Sequence, residues 1–549
     1  MPARRFLPAL LLAAVATRSA RADGAPIGPV PTEAQSRPSV TPDGRGGAVV
    51  AYKTASLKVG TVHVDGSAVP DGGLGFAPAV MPFEVDAGEP VRLSLPTDTQ
   101  VVLASDHATA TGPVMTSLRS GGGATSGFPV GMSMPYRYPA VVPGLSGRTL
   151  IVSKNSDAST FWTMRAAIIG ANGQVVSSVQ LSSTLQFFNA DRLDATTDGA
   201  GGLIAVLPFY DATNSGSKDL AVFRYTASGT RPWGDVPVPV VFASNDQTDP
   251  HIVADGKGGA LFAWTDPRTP VNGSDIYALH IDGNAHCVGN WSSYGQPVCD
   301  APGEQSQPRL VGDGVGGAWV VWLDQRADLA GDLRYSHVLT DGSFAPGFTS
   351  SGSELCTAPG AQVEAEVAGD GAGGLFAVWH DERNGNADIF AQHVLAGGTL
   401  SPGWPVNGRA LTTAPGAQDE PAIANVGVGR VVVAWRDART SPSRIYGTVV
   451  ADAGTTGVPA TAPGGLRLAV VDPARGEVSL RLSLPVAEPA RVELLDVSGR
   501  VRAGRDLVGP ADGVAVTLRG LDGALEPGLY FARLRQGRSS TAARVTMLR

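Results

Sequence analysis

The sequence predicts an all-β protein, an eight-bladed β-propeller followed by a small β-sandwich, with a seven-bladed ring as the alternative. Tryptophans recur at spacings of 58, 57 and 56 residues, at Trp264, Trp322, Trp379 and Trp435. A period of this order, filled with short strands, is typical of propeller blades. The 70 glycines and 41 prolines also favour short strands joined by turns. Beyond residue 457 the period ends, although alternating strand patterns continue.

The first 22 residues have the pattern of a secretory signal peptide. Arg4 and Arg5 precede an apolar run from Phe6 to Val15, and A-R-A follows at residues 20–22, so we expect cleavage after Ala22. The apolar run is too short to span a bilayer, and no other segment predicts a transmembrane helix. The expected location is therefore extracellular or at the outer-membrane cell surface.

The charge of the chain argues against a nucleic-acid partner. Removal of the four signal-peptide arginines changes the net charge from −8 to −12. The sequence contains no basic run that could follow a phosphate backbone.

Each repeat unit predicts four strands, which is the content of one blade. A first strand leads into a D-G-x-G-G turn, an apolar second strand, the motif W-x-D-x-R, a third strand, and a fourth strand that ends in A-P-G-x-Q. The second strand is apolar at nearly every position, which predicts a strand covered on both faces.

Eight such units extend from Ser36 to about Asp452, within a predicted propeller of residues 23–456. The last unit lacks a fourth strand, and "GAPIGPVPTEAQSRP" from Gly24 resembles the fourth-strand segment "GRALTTAPGAQDEP". We therefore expect residues 24–33 to complete the last blade, which would remove the exposed edges of an open array. The repeats resemble those of bacterial secreted β-propellers.

Residues 457–465 read as a Gly/Pro linker, and residues 466–549 as a separate domain. Its motifs D-V-x-G-R (Asp496 to Arg500) and P-G-x-Y-F (Pro527 to Phe531) resemble the type IX secretion sorting family and the related domain of flagellar hook-capping proteins. The resemblance implies an immunoglobulin-like C-terminal domain that contacts the outer-membrane secretion machinery.

Two repeated features are not interpreted as functional sites. Catalytic residues occur once, whereas the Asp/Arg pair of W-x-D-x-R recurs at Asp266/Arg268, Asp324/Arg326, Asp381/Arg383 and Asp437/Arg439. Equivalent outer-strand histidines lie too far apart to share a metal ion, so no metal site is predicted at His280, His337 and His393.

Three cysteines allow one intrachain disulfide. Cys299 and Cys356 occupy equivalent places in successive repeats, and such places usually exceed the Cα separation that a disulfide allows. We therefore expect a bridge between Cys287 and Cys299 and a free thiol at Cys356.

One repeated position varies in chemistry, namely the residue before the first-strand proline or its equivalent. If the first strands line the central channel, this residue faces the channel mouth. The predicted ligand-binding residues are Asp249, Gln307, Glu364 and Glu420, with Arg37 and Arg192 at the equivalent positions beyond them.

No nucleophile elbow, zinc-protease motif, P-loop or dinucleotide fingerprint occurs, so no catalytic residue and no cofactor are predicted. The first functional hypothesis is a non-catalytic binding or adhesion protein for an extracellular glycan or protein. The alternative is an extracellular glycan-active hydrolase or lyase that uses the acids at the mouth, and a structural cell-envelope component is a third possibility.

Overall fold

The computed structural model describes most of two units, residues 1–452 and residues 453–549. The described residues are 24–27, 33–43, 46–56, 59–64, 79–80, 92–97, 100–105, 114–119, 130–131, 136–155, 163–182, 193–211, 217–269, 271, 273–452, 467–472, 477–484, 489–496, 500–508, 511–519, 528–536 and 539–547. The predicted signal peptide, the linker and Arg192 lie outside them. Among the described residues the one helical element is a 3-10 turn, Leu145–Gly147. No described helix is long and apolar enough to cross a membrane.

The described strands of the first unit form eight antiparallel sheets of four strands each. Seven of them contain four strands that are consecutive in the chain. The first four of these sheets are β2–β5 (Gln35–Pro42, Ala48–Thr54, Val59–Val64, Ala79–Val80), β6–β9 (Arg92–Thr97, Gln100–Ser105, Val114–Arg119, Val130–Gly131), β10–β13 (Tyr136–Pro143, Thr149–Asn155, Thr163–Ile169, Val175–Ser182) and β14–β17 (Asp194–Thr197, Leu203–Asp211, Ser217–Tyr225, Val238–Val241).

The other three consecutive sheets contain the strongest repeats, and the eighth sheet combines the two ends of the unit. They are β18–β21 (Thr248–Ala254, Ala260–Asp266, Asp275–Ile281, Gln296–Cys299), β22–β25 (Gln305–Gly312, Ala318–Asp324, Asp332–Val338, Ser353–Cys356), β26–β29 (Gln362–Gly369, Leu375–Asp381, Asp388–Val394, Arg409–Thr412), and β30–β32 (Gln418–Gly427, Arg430–Asp437, Arg444–Ala451) together with β1 (Ala25–Pro26).

The second strands are buried on both faces, as their continuous apolarity predicts. Every residue of β19 and of β23 is buried. One hydrophobic cluster joins Val206 of β15, Phe262 of β19 and Val320 of β23, which belong to three successive sheets. The sheets therefore pack face to face, so that each second strand is covered by a neighbouring sheet on either side.

The first strands meet around a closed circuit. Each of β2, β6, β10, β14, β18, β22, β26 and β30 contacts the first strand of the next sheet, and β30 contacts β2. Such an arrangement of four-stranded sheets, with the first strands innermost, is the architecture of a β-propeller.

The N-terminal segment completes the last sheet, as the repeat alignment predicts. Ala25 and Pro26 pair with Gly447 and Tyr446 of β32, and the backbone N–H of Ile27 donates to the carbonyl of Ile445 at 2.9 Å. Gly24, at a φ of +68°, leaves no room for a Cβ beside the Trp435 indole. Gly295, Gly352 and Gly408, which precede the fourth strands of other sheets, lie against Trp264, Trp322 and Trp379 in the same way. The prediction is confirmed for residues 24–27, while residues 28–32 lie outside the described part.

The second unit contains two antiparallel sheets. Their strands are β33–β39, namely Arg467–Asp472, Glu477–Leu484, Pro489–Asp496, Val501–Val508, Ala511–Arg519, Gly528–Gln536 and Ser539–Met547. The strand orders are β33-β34-β37 and β36-β35-β38-β39. Leu480 and Val516 of the first sheet share one hydrophobic cluster with Val492 and Leu534 of the second, so a single core lies between the sheets.

The predicted disulfide is wrong, because Cys287 and Cys299 are both free. Cys299 pairs with Ile276 at one end of β20, whereas Cys287 bridges to Ile281 at the other end. Five residues of extended strand separate these points by about 16 Å, more than twice the roughly 7 Å between Cα atoms that a disulfide tolerates. Cys356 is also free and is buried.

Candidate functional site

The W-x-D-x-R motif forms a buried structural triad. In β23 the Trp322 indole N–H donates to Asp324 at 3.0 Å, and Arg326 donates to both oxygens of the same carboxylate at 2.8 and 2.6 Å. The guanidinium group of Arg326 also lies 2.9 Å from the Cys299 Sγ of the preceding sheet. The same indole-to-carboxylate bond occurs at Trp264, Trp379 and Trp435, at 2.7, 2.7 and 3.1 Å. The motif thus joins strands and successive sheets, which agrees with its interpretation as scaffold.

The repeated histidines stabilise turns within their own sheets. Nε2 of His280 lies 3.2 Å from Asp255, and the same carboxyl accepts the backbone N–H of Gly259 at 2.9 Å. His337 and His393 pair in the same way with the turn residues Asp313 and Asp370, at 3.0 and 3.2 Å. Each imidazole therefore has a local structural partner.

The varied position at the start of the first strand has an unusual backbone conformation. Its φ is positive at Arg37, Asp249, Gln307, Glu364 and Glu420, between 49° and 54°. At each of these positions the pairing of the first strand with the second shifts by a β-bulge. Left-handed conformations of non-glycine residues are uncommon, and bulges redirect side chains. Five sheets thus use one strained element to direct a side chain.

These five side chains line one cavity of about 810 Å³. The structure therefore brings together all four residues that the sequence predicts for the channel mouth. Asp249, Gln307 and Glu364 are exposed, whereas Glu420 and Arg37 are partly buried. We call this set of five residues the rim.

Two rim carboxylates support the backbone of the following sheet. Glu364 Oε2 accepts the N–H of Glu420 at 3.0 Å, and Glu420 Oε2 accepts the N–H of Arg37 at 2.6 Å. Glu420 also pairs with the Arg37 guanidinium group at 3.5 Å, across the junction between β30 and β2. Within the described residues, Asp249 and Gln307 form no side-chain hydrogen bond or ion pair, so they are free to contact a ligand.

The two glutamates have opposite pKa shifts. The neighbouring His380 imidazole lowers the pKa of Glu364, and its Nδ1 lies 3.9 Å from the carboxylate. Burial raises the pKa of Glu420, although the Arg37 backbone N–H and guanidinium group oppose this effect. Burial alone would lower the pKa of His380, but Glu364, Glu382 and Asp419 together raise it.

A second tier of side chains lies two residues further along the first strands, and the sequence reasoning missed it. Asp194 accepts the N–H of Ile252 at 3.1 Å and lies 3.8 Å from His251 Nε2. His251 Nδ1 in turn accepts the N–H of Leu310 at 3.3 Å. Further round the cavity, Arg309 donates to Glu366 at 3.2 Å. The sequence could have indicated this tier, because alternate residues of a strand share one face. The residue two positions after each rim position should therefore point into the same cavity.

In the other sheets that contribute to the cavity, the side chains of this second tier are uncharged. There its lining residues are small or aliphatic, namely Ser39, Leu93, Ala140 and Ala422, with Val40, Val141 and Ile423 beside them. We call this part the aliphatic wall and the part formed by Asp194, His251, Arg309 and Glu366 the charged wall. The described lining contains no aromatic ring other than the His251 imidazole.

The sequence matches no protein-family model and no curated protein. Solved structures similar to the chain include the β-propeller domain of the trilobed protease from Pyrococcus furiosus, at 10% identity and a TM-score of 0.39, over 69% of this chain and 98% of that one. An α-L-arabinanase from Penicillium chrysogenum matches at 12% identity and a TM-score of 0.34, over 58% and 93%. A protein of unknown function from Dyadobacter fermentans matches at 13% and 0.34, over 78% and 98%. At these TM-scores the fold assignment rests on the strand topology of this chain.

Proposed function

We propose that the protein is a secreted or cell-surface binding protein whose extracellular ligand, a glycan or a protein, enters the cavity at the rim. The observation that carries this proposal is the run of three exposed polar side chains, Asp249, Gln307 and Glu364, on consecutive sheets around one cavity. Pockets of about 300–1,000 Å³ are typical of ligand sites, and the cavity lies in this range.

The wider architecture belongs to the same proposal. We take the eight sheets as the blades of a closed eight-bladed propeller and residues 466–549 as an immunoglobulin-like sorting domain. In this view the C-terminal domain engages the outer-membrane secretion machinery, and the signal peptide directs export. The two sheets around one core in the second unit are compatible with such a domain.

The position of the charged groups favours binding over catalysis. Glu364 and Glu420 each accept a backbone N–H from the next sheet. A general acid or nucleophile needs an oxygen that can reach the substrate, and in each glutamate the Oε2 oxygen already accepts a backbone N–H. Asp249 and Gln307, by contrast, present unpaired polar groups, which suits recognition.

A direct test compares the mature chain, residues 23–549, with the double variant Asp249→Ala/Gln307→Ala on arrays of glycans and peptides. We expect at least one ligand class to bind the wild-type protein and to lose about tenfold or more in affinity in the variant. The matched control is Glu354→Ala, which removes a carboxylate from β25, away from the cavity lining. Equal binding by the double variant would place the ligand elsewhere and contradict the proposal.

One observation favours a glycan hydrolase as the second candidate. Adjacent carboxyl groups with pKa values shifted in opposite directions are a common acid–base arrangement, and Glu364 and Glu420 show this pattern. The test measures the release of reducing sugar from plant and bacterial polysaccharides by the mature chain and by Glu364→Gln. Turnover that Glu364→Gln abolishes, in a variant that still folds, would replace the binding proposal with the hydrolase.

A further inference from the structure

The cavity has two chemically different halves. The charged wall comes from four consecutive first strands, β14, β18, β22 and β26. The aliphatic wall comes from β30, β2, β6 and β10, which complete the circuit on the other side. A ligand that fills the cavity therefore meets polar groups along one side and hydrocarbon along the other.

The polar side chains of the second tier have neighbours within the wall. Asp194 has His251 as its neighbour, and Arg309 is paired with Glu366. His251 Nδ1 accepts the N–H of Leu310 at 3.3 Å, and its Nε2 lies 3.8 Å from Asp194. Among the described residues of this tier, the one guanidinium group, that of Arg309, is thus already paired with a carboxylate.

The rim carries exposed negative charge, although Glu364 lies 3.9 Å from the His380 imidazole. Arg37 is paired with Glu420, whereas Asp249 and Glu364 are exposed on either side of Gln307. The described part of the lining contains five carboxylates and two guanidinium groups. An exposed anionic arc above a cavity with low-dielectric walls attracts cations.

The apolar side of the cavity suits a ligand with a hydrocarbon chain better than it suits a sugar ring. Sugars commonly place a face of the ring on an aromatic side chain, and the described lining offers only the His251 imidazole, which is engaged by its neighbours. Valine, leucine, isoleucine and alanine side chains instead suit a flexible methylene chain, whose burial is favourable by area.

We propose that the cavity binds an organic cation with an aliphatic stem, its ammonium group held by Asp249 and Glu364 and its methylene chain along the aliphatic wall. This inference rests on the proposed function and names its ligand class. Two sources share this chemistry, a free polyamine and a lysine side chain of a protein. The Gln307 amide oxygen, between the two carboxylates, is the third acceptor for the ammonium group.

The experiment is calorimetric titration of the mature chain with three probes: spermidine, Nα-acetyl-lysine methylamide, and its neutral isostere Nα-acetyl-norleucine methylamide. We expect spermidine or the lysine probe to bind and the norleucine probe to bind at least about tenfold more weakly. Binding of spermidine alone identifies a free polyamine, and binding of the lysine probe identifies a protein side chain.

The site is tested with Asp249→Asn/Glu364→Gln, which keeps the shape of both groups and leaves an oxygen to accept the Glu420 N–H. We expect at least about tenfold weaker binding of the cation. The control, Asp246→Asn/Glu354→Gln, removes the same charge outside the lining and should change binding less than about twofold. A second variant, Ala140→Leu, places a larger side chain in the aliphatic wall and should also weaken the binding of spermidine.

Three results would overturn the inference: no binding of either amine, equal binding of the norleucine probe, or unchanged amine binding in Asp249→Asn/Glu364→Gln. The array test separates these results from failure of the proposed function. A different outcome is that the amines show no binding while Asp249→Ala/Gln307→Ala loses the binding of another ligand class on the arrays. In that case the proposed binding function stands, and only the inferred ligand class is wrong.

Discussion

At the scale of single residues, several carboxylates of the first unit have structural roles. Asp324 accepts the Trp322 indole and the Arg326 guanidinium group while it is fully buried. Glu420 is a rim residue, yet its oxygens stabilise the Arg37 backbone at the β30–β2 junction. A carboxylate is therefore a better ligand candidate when it is exposed and unpaired, as Asp249 is.

Truncation of the motif tryptophan tests the structural role of the triad. Trp322→Ala should reduce the free energy of unfolding by about 3–5 kcal/mol, because the side chain is completely buried between sheets. It also removes a donor to the buried Asp324. Urea denaturation of the mature chain measures the change. A loss below about 1 kcal/mol would show that the indole is not a core residue.

A buried carboxyl group predicts a dependence of stability on pH. Burial, with Asp300 and Asp266 nearby, raises the pKa of Asp275 from 3.8 to about 6. The folded protein thus holds this proton more tightly than the unfolded chain. The contribution of Asp275 to stability is therefore present at low pH and is lost as the pH rises through about 6.

Asp275→Asn imitates the protonated form and removes this dependence. The stability of the variant relative to wild type should increase by roughly 1–2 kcal/mol between about pH 5 and about pH 8. Chemical denaturation at both pH values measures it, with the half-exposed Asp246→Asn as control. A constant difference between the variant and wild type would show that Asp275 is ionised in the folded protein throughout this range.

At the scale of elements, the closing strand β1 supplies the fourth strand of a sheet whose other strands are more than 390 residues away. Its Gly24 lies against Trp435 as Gly352 lies against Trp322. Ile27, which is 1% exposed, packs with Ile445 and Val50. This short segment therefore joins the last sheet to the first.

Loss of one side chain in this segment should weaken the closure. Ile27→Ala should lower the free energy of unfolding by about 2–5 kcal/mol, the usual range for a buried isoleucine. Val176→Ala on β13, where Val176 is half exposed, is the control and should change it by less than about 1 kcal/mol. Equal effects of the two substitutions would mean that the closing strand adds little to stability.

The closing strand and the rim were predictable from sequence because an alignment of the repeats shows which residues occupy equivalent positions in different sheets. The A-Q-S-R-P and A-Q-D-E-P matches place Gln35 and Gln418 in equivalent positions, and both are buried. The charged wall was not found, since Asp194–His251 and Arg309–Glu366 pair residues of successive sheets. Such pairs depend on how the bulges orient two first strands, which an alignment of repeats does not contain.

The prediction of a disulfide was wrong because it relied on distance along the chain rather than on the alignment of repeats. Cys287 and Cys299 are close in the chain, and short chain distance was taken as closeness in space. The residues between them form a turn that returns along β20, so the two cysteines lie at opposite ends of that strand. Burial then raises the pKa of the Cys299 thiol to about 11, which keeps it protonated and a poor nucleophile.

At the scale of the whole molecule, the chain divides into two units with opposite net charge. Residues 453–549 contain thirteen arginines, no lysine and nine acidic residues, whereas acidic residues outnumber basic ones in the remainder of the chain. Each unit has its own hydrophobic core. This organisation predicts that the first unit folds without the second.

A chain that ends at Asp452 tests this prediction. Its main calorimetric transition should lie within about 2 °C of the corresponding transition of the mature chain, because no core residue of the first unit is removed. In the cell, the truncated protein should accumulate at the surface in a smaller amount. Normal surface amounts would contradict the proposed sorting role, and a fall in melting temperature of about 10 °C or more would contradict independent folding.

Carboxyl footprinting tests the central claim, that the ligand enters the cavity at the rim, most directly. The mature chain is labelled with a carbodiimide and an amine, with and without the ligand that the arrays select, and the labelled carboxyl groups are quantified by mass spectrometry. Asp249 and Glu364 are exposed, so they should be labelled in the free protein and protected by the ligand. Glu354, on β25, should be labelled equally in both states. Unchanged labelling of Asp249 and Glu364 at saturating ligand, with protection elsewhere, would contradict the account.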